Sequence, residues 1–122
     1  MVMFLLFAVL AGCGQGDRPP LGMVHGTVTL DGKPLAGARL TFEPVEPGRA
    51  STGITDDDGK YELIYIRDDR GAKVGGHLVR ISAPNPNSDG AELLPPRYNT
   101  QSTLKKEVKR GDNSIDFPLT SK

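Results

Sequence analysis

The chain has 122 residues, enough for one domain, and its 15 Lys and Arg balance 15 Asp and Glu to a formal charge of zero. Nothing in that balance calls for nucleic acid or an anionic surface as an obligate partner. Fifteen glycines and ten prolines, with no tryptophan, describe many turns and short strands and argue against long helices, while a single cysteine excludes an internal disulfide and a cysteine-based zinc site.

At the amino end, residues 2–10 (VMFLLFAVL) form an unbroken apolar run the length of a secretory h-region, too short to cross a bilayer as a helix. Leu10, Ala11, Gly12 and Cys13 follow at once. This tetrapeptide resembles a bacterial lipobox, although no Lys or Arg precedes the apolar run. The resemblance implies a lipoprotein signal peptide over 1–12, cleavage before Cys13, and diacylglycerol on the Cys13 sulfur. The membrane would then be held as a partner through lipid, each buried methylene contributing about 0.8 kcal/mol. Gly14 stands where an Asp would mark inner-membrane retention, so the implied location is the bacterial cell envelope, on the periplasmic face of the outer membrane. Residues 13–21 read as a lipid-anchored tether, with flexible glycines and a stiff Pro19-Pro20 pair, and 22–120 as the folded domain.

Strands follow in order. Over 23–30 a period of two puts Val24, Gly26, Val28 and Leu30 on one face and His25, Thr27 and Thr29 on the other. Asp31-Gly32-Lys33 supplies a tight turn. The strand at 36–44 buries Ala38, Leu40 and Phe42, and a third at 50–55 takes Ile54 as its anchor. Residues 56–59 turn the chain into a strand at 60–66 that buries Tyr61 and Leu63 and also presents Ile64 and Ile66. A fifth strand, 77–83, points Val79 and Ile81 inward, with His77 at its start read as a surface residue. A Pro- and Asn-rich stretch without periodicity, 84–99, precedes strands at 103–110 and 113–119. The expected fold is all-β, a seven-stranded antiparallel sandwich.

Three segments carry a further resemblance: VHGTVTLDGKPLAGARLTFEP (24–44), TGITDDDGKYEL (52–63) and GAKVGGHLVRIS (71–82). Together they resemble the carboxypeptidase regulatory-like domain, a small transthyretin-like sandwich with a G-x-P-L-x-G-A turn and a T-D-x-x-G-x-Y hairpin. The tail at 93–119, with its Pro-Pro-x-Tyr-Asn loop, is similar to the ending of short bacterial lipoproteins that carry this domain alone. The resemblance implies fold and location far more than activity. Hydroxyisourate hydrolases share the fold but end in a Tyr-Arg-Gly-Ser type tail, where this chain has Leu119, Thr120, Ser121 and Lys122.

Candidate chemistry is sparse. Asp56, Asp57 and Asp58 could bind calcium through a loose set of carboxylates and carbonyls, but an EF-hand loop in this frame would need oxygen ligands where Ile54 and Tyr65 stand. Adjacent aspartates on one turn lack the cleft that paired catalytic carboxylates need, and Asp and Gly are also what a β-turn selects. His25 and His77 come with no nucleophile elbow. Arg97, Tyr98 and Asn99 form a candidate ligand loop for a peptide or glycan, set against the plainer reading that Tyr98 packs back on the sandwich. The expected function is a non-enzymatic, lipid-anchored envelope module, for binding or structure, without a cofactor. The alternatives are a calcium-dependent module using 56–58, and an edge-strand partner in an envelope complex.

Overall fold

The computed structural model describes residues 19–85, 89 and 91–122. Cys13, the 1–12 signal peptide and most of the tether lie outside them. The strands in chain order are β1 (Leu21–Leu30), β2 (Lys33–Pro34), β3 (Arg39–Pro44), β4 (Ser51–Ile54), β5 (Lys60–Glu62), β6 (Ile64–Ile66), β7 (Asp69–Arg70), β8 (Ala72–Lys73), β9 (Gly75–Ser82), β10 (Leu104–Val108), β11 (Gly111–Ser114) and β12 (Phe117–Leu119). A 3-10 turn, Pro96–Tyr98, lies between β9 and β10.

They form two sheets packed face to face. The first is built around β1, which pairs antiparallel with β2, β5 and β8 and parallel with β11 and β12. The second runs β10-β9-β3-β4-β6-β7, antiparallel throughout. Alternation explains the core. Val24, Val28, Tyr61, Phe117 and Leu119 point inward from the first sheet, and Leu40, Phe42, Val79 and Ile81 meet them from the second. Phe42 and Phe117 touch edge to face across the interior, ring centroids 6.1 Å apart. Positive φ at Asp31 (52°) and Gly32 (87°) gives the β1–β2 hairpin the primed turn that follows strand twist.

The all-β sandwich expectation holds, and five details are corrected. Two of the seven expected strands are divided and three two-residue strands are added, so twelve segments are seen among the described residues. The strand expected at 60–66 changes sheets at Leu63. Its N–H closes the first sheet on the Val24 carbonyl (2.9 Å), and the next residue, Ile64, pairs with Thr52 in the second. The strand expected at 113–119 breaks at Ile115 and Asp116, and both halves lie parallel to β1, so the sandwich is not wholly antiparallel. Ile54 points outward, 57% exposed, because the inward positions here are Ser51 and Gly53 of β4 and Thr55 just after it. The Glu62 carbonyl lies only 2.9 Å from where a Gly53 Cβ would stand, too close for a large side chain. His77 is buried, its Nε2 2.7 Å from the Lys73 carbonyl and its ring against Phe42, as the inward parity of Val79 and Ile81 requires.

Candidate functional site

The acidic run is a hairpin turn. Thr55 sets its root, the hydroxyl accepting the Ala38 N–H (2.9 Å) and donating to the Leu35 carbonyl (2.5 Å). Asp56 then folds the turn on itself, since its Oδ1 accepts the N–H groups of both Asp58 and Lys60 at 2.9 Å. Gly59, at φ 77°, lets the turn lie against β1, where a Cβ would come within 2.6 Å of the Val28 carbonyl oxygen. Asp57 and Asp58 are exposed, and among the described residues no group of three or more His, Cys, Asp or Glu is placed to hold a metal.

Those hydrogen bonds hold the Asp56 carboxyl below the usual carboxylate range, the Lys60 N–H first and the Asp58 N–H next. A depressed folded pKa contributes stability above the unfolded value and loses it as pH falls through the folded one. Asp56→Asn keeps an acceptor oxygen but cannot ionise. It is therefore expected to lower Tm at neutral pH and to flatten the loss of Tm at acid pH, as read by thermal melts across a pH series. A residual acid slope should persist from Asp31, held low by the Ser121 hydroxyl and then the Ser121 N–H.

The 97–99 loop works on the chain itself. Tyr98 is buried, and its hydroxyl accepts the Thr120 N–H at 3.0 Å. The Arg97 guanidinium stacks over the Tyr98 ring (4.7 Å to its centre) and donates to the carbonyls of Thr120 (2.9 Å) and Lys122 (2.7 Å). The Asn99 amide reaches the carbonyls of Ile81 (3.3 Å) and Pro95 (3.2 Å). Each of the three side chains makes at least one hydrogen bond that fastens the 119–122 segment or the 3-10 turn to the sandwich.

A different place has the shape of a site. Where β5 leaves the first sheet for the second, the outer surface dips into an open groove of about 810 Å3. His25 and Thr27 from β1, Lys60 and Glu62 from β5, and Asp116 line it, with Ile54 and Ile64 as an apolar wall. Asp116 is fixed by accepting the Thr27 N–H (2.9 Å) at the break between β11 and β12. Below it the Tyr61 hydroxyl donates to the Ile115 carbonyl (2.6 Å), and burial, with the Asp116 charge second, pushes that phenol above its usual range.

On this outer face the parallel register sets His25 beside Ser114, with Asp112 two residues away on the same strand. His25 Nε2 lies 2.9 Å from Asp112 Oδ2, while among the described residues no hydrogen bond joins Ser114 to the ring. A nucleophile is activated by touching its base, and here His25 is hydrogen-bonded to Asp112 instead of to Ser114. The groove gathers carboxylates, a lysine and two isoleucines on the sheet. Sequence parity had put His25 on the polar face of β1, but no local signal brings it together with Asp112 and Asp116.

No protein-family model matches the chain, and no curated protein is similar to it by sequence. Its structure is similar to the crystal structure of a DUF3823 family protein from Parabacteroides merdae, with a TM-score of 0.51 and 15% identity. The match covers 85% of this chain and spans 48%, about half, of that protein. At that identity the likeness shows the fold alone.

Proposed function

We propose that this chain is a lipid-anchored, non-enzymatic module of the bacterial cell envelope, with a β-sandwich of the carboxypeptidase regulatory-like, transthyretin-like kind. The observation that carries the reading is the order of parts at the amino end: the apolar run at 2–10, Leu10-Ala11-Gly12-Cys13, a polar tether, and β1 beginning at Leu21. Acylation at Cys13 would hold the domain at the periplasmic face of the outer membrane, and the groove between β5 and Asp116 is the surface best shaped to receive a partner or glycan there.

The experiment is metabolic labelling with a tagged fatty acid in a bacterial host, followed by membrane fractionation. Wild type is expected to carry label and sediment with membranes, and Cys13→Ala to carry none and to remain at the size of the uncleaved chain. Equal labelling of the two removes the anchor from this reading.

A further inference from the structure

The groove at the corner where β5 leaves the first sheet has two unlike edges. The strand pairings give the order across it: Ile54 and Ile64, then Lys60 and Glu62 on β5, then His25 and Thr27 on β1, and last Ser114 and Asp116. From β5 to the Asp116 edge is two strand spacings, roughly 10 Å. One edge is therefore apolar and open to solvent at Ile54, and the other is acidic.

Of the charges that line the groove, Asp56, Glu62 and Asp116 are acidic and only Lys60 is basic. Asp112 meets His25, Arg39 stands opposite Ile54, and Arg70 lies 3.7 Å from Glu62. With Asp57 and Asp58 on the adjoining turn, six acids face three bases. Farther out, the β6–β7 turn adds Arg67, Asp68 and Asp69, and the short strands either side of β5 add Lys33 and Lys73. The acids still lead, eight to six. Asp116 is held through Oδ1 alone, by the Thr27 N–H, and the Glu62–Arg70 pair is long and exposed, so both carboxylates can meet a further cation.

This balance disfavours phosphate or sulfate in the groove. A sugar would find no exposed ring to stack on, since Tyr61, the one aromatic residue among the lining, is buried with its hydroxyl committed to the Ile115 carbonyl. An extended peptide fits both edges, because successive side chains of a strand point to opposite sides. Basic residues would face Glu62 and Asp116, and the apolar residues between them would lie on Ile54 and Ile64. The volume of about 810 Å3 is that of a cleft for a short ligand.

We propose that the groove binds an extended segment of a partner protein in which basic and apolar residues alternate. This rests on the groove reading given under the proposed function and supplies the class of its partner.

The probe is an acetylated and amidated Lys-Val-Lys-Val-Lys peptide, titrated into isotope-labelled full-length protein in a neutral detergent and followed by amide NMR. The signals of Ile54, Glu62 and Asp116 are expected to move saturably, and to move far less with glutamate in place of the lysines or serine in place of the valines. Asp116→Asn, which keeps an acceptor for the Thr27 N–H, and Glu62→Gln should each weaken binding about two- to five-fold. Lys60→Glu, whose lysine side chain makes no hydrogen bond among the described residues, should tighten it. Equal movement with the glutamate peptide, or none with the lysine peptide at millimolar concentration, overturns the proposal. So does movement of the same signals with protein concentration alone, which would give the groove to a second copy of the chain. A neutral oligosaccharide that moves these signals while the peptide moves none overturns the peptide and leaves the wider groove reading standing, and the fatty-acid label reports the anchor separately.

Discussion

Gly26→Ala is expected to leave little stably folded protein. Gly26 sits in the middle of β1, where β11 and β12 part and the Ile115 peptide passes beneath it. A Cβ there would lie 2.6 Å from the Ile115 carbonyl carbon and closer still to its oxygen. That oxygen is already the acceptor for the buried Tyr61 hydroxyl, so it cannot withdraw without stranding a polar group. Ordinary overpacking by a methylene costs about 1–3 kcal/mol when side chains can adjust. Here the obstacle is backbone, and the loss should exceed that range in a domain whose total stability is about 5–15 kcal/mol. Thermal melts and limited proteolysis check it. Gly76→Ala is the control: its nearest atoms would be Val45 Cγ2 at 3.6 Å and Glu107 Oε1 at 3.7 Å, ordinary contacts, so its Tm should scarcely move. Equal behaviour of the two variants would contradict the close approach at Gly26.

The second large effect is at Phe42. Its ring is fully buried and touches both His77 in its own sheet and Phe117 in the other, so it bridges the two layers. Truncation to alanine removes a large apolar surface and leaves a cavity between sheets that can close only if both shift, a cost of about 3–5 kcal/mol. For a domain of this size that corresponds to a fall in Tm of roughly 12–40 °C, measured by calorimetry. Phe42→Leu keeps most of the apolar volume and should cost distinctly less. Val45→Ala, which trims an exposed side chain, should stay within about 0.5 kcal/mol of wild type.

Much of the fold could be read along the chain because a strand's period of two declares which face is buried. The alternation of Val24 and Val28, of Leu40 and Phe42, and of Val79 and Ile81 located the strands and the core. Parity places His77 inside as well, against the expectation of a surface histidine at a strand start. Ile54 misled in the opposite sense. Hydrophobicity argued for burial, whereas the inward positions beside it are small because the Glu62 backbone runs close to β4. The change of sheet at Leu63 has no local signal, since the residue is buried whichever sheet it serves.

The site was less legible for a related reason. The turn at 56–59 was readable because Asp and Gly act on their own neighbours, and the hydrogen bonds of Asp56 stay within four residues. The groove is assembled by non-local pairing, with Asp116 and His25 delivered by strands from opposite ends of the domain. Arg97, Tyr98 and Asn99 carry the groups that bind a ligand, and in the fold several of those groups bind the 119–122 segment and the 3-10 turn.

The parallel pairing of β1 with β11 and β12 bears on how the domain is made. Thr27 is joined to Asp116, 89 residues later in the sequence, so β1 waits for β11 and β12 before its second edge is covered. Folding dominated by such distant contacts is slow, because loop closure must precede the contacts that reward it. Until β12 docks, β1 offers an open row of backbone donors and acceptors to any other chain. Newly made protein should therefore depend on concentration and on holding factors during that interval, and a chain truncated before Phe117 should aggregate rather than populate a smaller sandwich.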